Sequence, residues 1–513
     1  MTRGQRARPV ALTWLLLATV SGSLLLRAAL TPPPGTVFVG TFYYVDDFYN
    51  YLSYVQQAED GAIVFRNKLA APTLPPALFN AEWLLVGWLS VLLGGSPLLA
   101  YRLLGLLVLI VFVAVVDRWL VRSGLPPPRR LAGLLLVFTG GGLGGALVFL
   151  GWLPGSRAYD LLAGLFPFVQ TMANPHFVVG TTLLTAGLLA FAAGRPGWGV
   201  LIGTVLGLVR PYDAALLAGV EGLAVLIRWP PREWPRRLLP VTALVPVLAY
   251  NAWVFLWSPG FRIFSSASYA TSGPSLFELA IAIGPAVVVA SAALALPKSD
   301  ESARRHRLYL GLWAALTVLV VVVRPVSFSL QFLSGVGVPL LTLGAIGLGH
   351  MRRGLLEGAV PVFAATALVL TWLQSSPNTY RNVPVDRFGI AAALRSQCRP
   401  GELVLAPPDI GLYVGGLSAC WPFVSHTASP EHTSRDEATR RFYASSPEDR
   451  ARFLEEACID HVVMPRIWAN GGLPPEAPFG RALDVDGPEG GLAVYSRTAP
   501  CHRATPRSFA RRE

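Results

Sequence analysis

Residues 97–130 read PLLAYRLLGLLVLIVFVAVVDRWLVRSGLPPPRR, a long apolar run that ends among Arg118, Arg122, Arg129 and Arg130. A bilayer core of ~30 Å takes roughly 20 apolar residues in helical form. The run therefore reads as a membrane-spanning helix with a basic loop at its far end. Working outward, the pattern recurs at 10–30, 131–152, 176–194, 197–209, 211–228, 237–257, 276–297, 308–324, 326–348 and 355–374. The chain of 513 residues is 53% hydrophobic and 14% charged, against about 25% charged in soluble domains. The fold class expected is an α-helical polytopic membrane protein of about 11 transmembrane helices.

The net charge of +12 is not a nucleic-acid signature, because the basic residues fall in short clusters between apolar runs. Arg3, Arg6 and Arg8, the 118–130 cluster, Arg195, Arg228 to Arg237, Lys298 to Arg307, and Arg352 with Arg353 all sort to one side. The positive-inside rule makes that side cytoplasmic. The implied protein is multi-pass in the plasma membrane, with the N-terminus inside and the C-terminus outside. Arg210-Pro211 and Arg324-Pro325 each divide two apolar runs. Proline ends a helix and drives the residue before it from the α region, so both read as tight turns at the outer face. The basic start of the chain resembles a signal peptide, but Arg27 and Pro32 to Pro34 make a poor cleavage site, and residues 10–30 are taken as a retained helix.

Three regions follow from this layout. Residues 1–374 form the transmembrane domain, including a first outer loop at 31–96. Residues 375–502 form a small extracytoplasmic α/β domain, with helices at 386–396 and 447–458 and strands at 402–406 and 461–465. Residues 503–513 are a basic, disordered tail. Cys398, Cys420, Cys458 and Cys501 all fall after residue 375. They fit one or two disulfides with three full pairings open, or buried thiols packed as small hydrophobes. In the first outer loop, 47–60 reads as an amphipathic helix closed by Gly61, and 77–93 as an interfacial helix.

That loop opens with Tyr43-Tyr-Val-Asp-Asp-Phe-Tyr-Asn-Tyr51. The acidic pair Asp46 and Asp47, just past the first span, is the strongest candidate for chemistry. A capping role for one of the two is the plain alternative, though it leaves the other unexplained.

The order of one helix, an outer loop opening with an acidic pair, two surface helices, and Gly94-Gly-Ser-Pro-Leu-Leu-Ala-Tyr-Arg102 leading into the second span resembles the GT-C superfamily of polytopic glycosyltransferases. That superfamily includes protein O-mannosyltransferases, aminoarabinose transferases and oligosaccharyltransferase catalytic subunits. The resemblance covers roughly residues 10–374. It implies inverting transfer of a sugar from a polyprenyl-phosphate-linked donor, at the outer face of the bilayer, to a glycan, lipid or protein acceptor. Asp46 and Asp47 match the family's acidic positions. The further acid often found before the loop's Pro-Pro is missing, since that stretch here is Asn67-Lys-Leu-Ala-Ala-Pro72.

Such a reaction needs a carboxylate to take the acceptor's proton and positive charge for the departing phosphate. Asp46 is expected as the general base, with Asp47 as its neighbour. Two close carboxylates raise each other's pKa unless a cation intervenes, which points to a divalent metal (Mg²⁺ or Mn²⁺) held by Asp46, Asp47 and His176. Arg210, Arg324, Arg262 and Arg102 are the candidates for phosphate, since a guanidinium fork suits its oxygens. A single arginine at a helix end is otherwise an ordinary interfacial anchor. Arg210 and Arg324 stand above that reading because each sits in a tight turn expected to face the acidic loop, with Arg262 weaker. Asn174 and His176 open a span after the 153–175 loop, and Tyr44 is one of several aromatics placed to stack on sugar. Asp160 and Asp213 are lesser acidic candidates. The competing class is a transporter or flippase of a lipid-linked sugar. Transporters place ionisable groups near the bilayer midplane, and here only Glu221 fits that description.

Overall fold

The computed structural model describes residues 3–69, 74–162, 164–262, 273–296, 300–325, 329–351, 354–375, 381–425, 432–468, 472–487 and 490–499. The chain divides into two units. One comprises Met1–Arg27, Tyr101–Trp253 and Tyr269–Ser376; the other comprises Ala28–Ala100, Val254–Ser268 and Pro377–Glu513. The loop 31–96, counted with the transmembrane part in sequence, thus groups with the region after residue 377. The expected basic tail and Cys501 lie outside the described residues.

The first unit is helical. Among the described residues six helices are long and apolar enough to cross a bilayer: Ala7–Leu30, Pro97–Arg122, Pro175–Ala192, Leu276–Ala295, Glu301–Val323 and Ser329–His350. The pair Pro231–Thr242 and Val245–Leu256, bent by 52°, makes a seventh if it counts as one span. Two of these, Pro175–Ala192 and Ser329–His350, are 89% buried over their apolar windows and form the centre. The other four leave most of their apolar surface open, as lipid-facing helices must.

The expected span 355–374 is the helix Leu355–Ser375, while three others differ for local reasons. Residues 131–152 break into Arg130–Thr139 and Gly144–Phe149, because Gly140 to Gly142 supply no side chains to hold a helix there. Pro196–Gly207 has only 12 residues. Pro211–Arg228 carries Asp213, Glu221 and Arg228 in its 18 residues, too many charges for a simple span. Both Arg-Pro steps do end helices. Arg210 is extended (φ −138°) before Pro211, and Arg324 closes Glu301–Val323 in the left-handed region (φ 55°).

The second unit is mixed. Thr36–Phe38 pairs antiparallel with Asn382–Pro384, so one strand of this small sheet precedes the acidic pair and the other follows the last apolar helix. A five-stranded sheet runs in the order Trp421–Pro422, Leu403–Leu405, His461–Pro465, Leu492–Arg497, Phe479–Val485, parallel in its first three members and antiparallel in the rest. Leu405, Phe423, Phe442, Leu454, Val462, Met464 and Tyr495 fill its core. Both expected strands are present, as are the helices, now Val385–Ala393 and Pro447–Glu456. Cys398 and Cys420 form a disulfide; Cys458 is disulfide-bonded as well.

Candidate active site

The acidic pair sits in the first turn of helix Val45–Glu59. The capping alternative is overturned, because the N-cap position is Tyr44 (φ 53°, ψ 49°), with no side-chain cap bond. A bulky residue in the left-handed region is rare and costs of order 1–3 kcal/mol. Among the described non-glycine residues only Tyr44, Arg324 and Cys458 adopt positive φ, and two of these three are sequence candidates. Asp46 and Asp47 are half-buried, as are Tyr43 and Tyr44.

The rest of the helix is fixed on several sides. Phe48, Tyr49 and Tyr54 are in the core and are therefore not sugar-stacking residues, contrary to what their spacing in the aromatic run allowed. Tyr49 donates to the Val39 carbonyl at 2.9 Å and stands edge-on to Tyr413. Tyr54 stacks on Trp83, with ring centroids 4.5 Å apart; burial pushes its hydroxyl pKa up, and the Asp47 charge adds to that. Trp83 belongs to helix Ala81–Leu92, which Asn80 caps by accepting from the Glu82 and Trp83 amides. It is the shorter form of the expected 77–93 helix.

Where the acid before the loop's prolines is missing, Asn67 and Lys68 are buried. Asn67 donates to the Gly260 carbonyl at 2.8 Å. Lys68 Nζ donates to Gln56 Oε1 at 2.6 Å and to the carbonyls of Gly415 at 3.1 Å and Ser418 at 2.6 Å. Burial lowers the Lys68 pKa to about 7, opposed by the Asp60 charge. The lysine therefore ties the acidic-pair helix to Pro408–Leu417. The sequence gives no signal for Arg381, which is buried with its guanidinium 5.2 Å from the Phe42 ring. Nothing in the local sequence distinguishes Arg381 from the other arginines. Arg262 is exposed after Phe261.

In the first unit a buried polar cluster surrounds Arg210, which is 1% exposed. Arg210 Nε lies 3.1 Å from Asp213 Oδ2, and its Nη1 donates to Ser334 Oγ at 3.3 Å. Its guanidinium lies over Phe177 and Tyr212. Gln170 donates to the Gly164 carbonyl at 2.7 Å, to Thr181 Oγ1 at 3.0 Å and to Ser334 Oγ at 3.3 Å. Gly180 makes this possible, since a Cβ there would stand 2.2 Å from Arg210 Cδ. Asn174 precedes Pro175 and His176 at the start of Pro175–Ala192. The Tyr101 hydroxyl accepts from the His176 amide at 3.2 Å, and Arg102 donates to the Ala173 carbonyl at 2.9 Å. His176 is near enough to stabilise the Asp213 charge. Arg102, Asn174, His176 and Arg210 thus belong to one neighbourhood, with Tyr101, Gln170, Asp213 and Ser334 added.

Arg324 lies in a different set. It donates to the carbonyls of Gly273 and Pro274 at 3.0 Å each and contributes charge at Tyr159, together with Arg157 and Glu278. Arg157 donates to Glu278 at 2.5 Å. Asp160 is buried against the glycine run, accepting from the Gly145 amide at 3.3 Å, and burial raises its pKa to about 6.

Among the described residues, the one group of three His, Cys, Asp or Glu side chains close enough to share a metal is Cys398, Cys420 and His461. Its two cysteines are already joined to each other. His461 is engaged by Ser496 Oγ at 2.8 Å and Glu402 Oε2 at 3.0 Å.

No protein-family model matches the sequence, and no curated protein does. The structure is nevertheless similar to solved GT-C glycosyltransferases. The mycobacterial arabinofuranosyltransferase AftD matches with a TM-score of 0.52 at 14% identity, over 98% of this chain and 42% of that one. The chain therefore spans less than half of AftD. The oligosaccharyltransferase of Archaeoglobus fulgidus, solved with Zn and sulfate, matches with a TM-score of 0.44 at 15% identity, over 94% of this chain and 73% of that one. The chain is thus a multi-pass membrane protein whose fold is similar to that part of AftD.

Proposed function

We propose that this chain is an integral-membrane glycosyltransferase of the GT-C type, moving a sugar from a polyprenyl-phosphate-linked donor to a glycan, lipid or protein acceptor outside the plasma membrane. The observation that carries the proposal is the acidic pair, half-exposed in the first turn of a helix entered through a left-handed Tyr44, on a chain with the AftD fold. The topology that accompanies it has eleven spans, counting the short and charged helices, with the N-terminus cytoplasmic and the residues after 375 outside.

In the proposed step the Asp46 carboxylate accepts the acceptor's hydroxyl proton. The freed oxygen forms a bond to the anomeric carbon from the side opposite the phosphate. The bond from that carbon to the phosphate oxygen breaks, its electron pair leaves on the lipid phosphate, and the anomeric configuration inverts. Arg102, Arg262 and Arg324 are proposed to take up the developing negative charge. Arg210, held beside Asp213 and Ser334, acts by positioning this polar cluster, with Asn174 and His176 as hydrogen-bonding members, and Tyr44 faces the sugar. A divalent cation, Mg²⁺ or Mn²⁺, held by Asp46 or Asp47, would supply further charge for the phosphate.

The direct test is the purified chain in proteoliposomes with a panel of polyprenyl-phosphate sugars. Sugar appearing on an acceptor while free polyprenyl phosphate accumulates supports the proposal. Donor crossing the bilayer with its sugar still attached supports the flippase reading and sinks this one.

A further inference from the structure

Helices Arg3–Leu30 and Pro97–Arg122 border a cleft of about 890 Å³ at their arginine-rich end. We propose that this cleft is a binding site for one anionic phospholipid of the bilayer, its headgroup phosphate held by Arg118 and Arg122. The site lies outside the acidic-pair region, and the inference does not depend on the transferase reading.

Sequence spacing builds the cleft. Ile110, Ala114, Arg118 and Val121 recur at helical intervals on one helix, and Ala7, Val10 and Ala11 do so on the other; all of them line it. The helices are pinned one turn deeper, where Trp14 Nε1 donates to the Leu106 carbonyl at 3.2 Å. At the lining positions the small side chains Ala7, Ala11 and Ala114 leave the space unfilled. Clefts of ~300–1,000 Å³ suit ligands of drug size, which matches a headgroup with the upper part of its acyl chains.

The charge at the mouth is positive and available. Asp117 and Arg130, which also line the cleft, neutralise one another. Arg130 Nε donates to Asp117 Oδ1 at 2.7 Å, Nη2 bonds the other oxygen, and both side chains are buried. Arg118 and Arg122 are exposed, and among the described residues no ion pair involves either. The result is a basic mouth with two guanidinium groups above apolar walls, at the end of two membrane-spanning helices. Basic pockets between such helices recognise anionic headgroups, and guanidinium binds phosphate oxygens in pairs. A free anion would have no use for the apolar lining, and an apolar chain no use for the arginines. A phospholipid uses both.

The test is native mass spectrometry of the delipidated full chain, offered phosphatidylglycerol, phosphatidylcholine, polyprenyl phosphate or inorganic phosphate. The expected result is one retained phosphatidylglycerol, favoured over phosphatidylcholine by about tenfold or more. That preference should be lost in the R118Q/R122Q variant and largely kept in R118K/R122K. Ala114→Leu fills the cleft without touching the charges and should also release the lipid. Thermal unfolding of each variant confirms that it is folded. The proposal is overturned by equal retention of both phospholipids, by undiminished phosphatidylglycerol on R118Q/R122Q, or by its full retention on Ala114→Leu, which would reduce the effect to surface charge. Displacement by inorganic phosphate alone, or by polyprenyl phosphate at equal concentration, would overturn it as well.

Discussion

Tyr49 stands edge-on to Tyr413, with ring centroids 4.7 Å apart and an interplanar angle of 89°, so the helix bearing Asp46 and Asp47 is braced by the helix Pro408–Leu417. Tyr49→Ala removes a core aromatic and should destabilise by about 3–5 kcal/mol. Tyr49→Phe removes only the bond to Val39 and should cost about 1 kcal/mol. Thermal unfolding in detergent checks both values. Transfer activity should fall with Tyr49→Ala even below its unfolding temperature, because the acidic pair lies less than one turn away.

Lys68 gives a pH signature. Its folded pKa of about 7 lies below the ordinary lysine value of 10.5, so between those values the unfolded chain holds a proton that the folded chain does not. Stability must then rise with pH through that window. Lys68→Met should remove this rise, and unfolding midpoints of the two proteins from pH 7 to 9 should diverge, with the native protein gaining. Parallel curves would show that Lys68 is not titrating in place.

The disulfide Cys398–Cys420 closes a loop with a sequence separation of 22. Cys398→Ser with Cys420→Ser should lower stability by about 3 kcal/mol, and dithiothreitol should lower the stability of the native protein by more than that of the variant, in which the disulfide of Cys458 remains. An unchanged melting temperature on reduction would count against it.

Much of this was legible locally. Most of the long apolar runs, the two Arg-Pro breaks and the helix after Tyr44 follow from short-range rules and are present in the structure, whereas 131–152 breaks at its glycines. What was not legible depends on distant partners. Thr36–Phe38 finds its strand partner more than 300 residues later, and Lys68 finds its carbonyls at Gly415 and Ser418. No periodicity near Lys68 announces those bonds. The spacing of Phe48, Tyr49 and Tyr54 likewise showed an aromatic run but not which rings face inward. Arg210 stood out in the sequence as a phosphate candidate, yet its engagement with Asp213 three residues later and with Ser334 required the fold.

The Arg210–Asp213 pair separates stability from chemistry. Asp213→Asn leaves a buried guanidinium without its counter-charge, at a cost of about 3–5 kcal/mol. Replacing both, as Arg210→Met with Asp213→Leu, should recover most of that stability while leaving transfer impaired. Full recovery of both would make the pair purely structural.

The central claim is that Asp46 is the base, and the most direct measurement is the rate of sugar transfer from a polyprenyl-phosphate donor by Asp46→Asn and Asp47→Asn, each verified as folded by its unfolding temperature. The account predicts a loss of about 10²–10⁴-fold for Asp46→Asn and a smaller loss for Asp47→Asn. Transfer by Asp46→Asn at the native rate would contradict it.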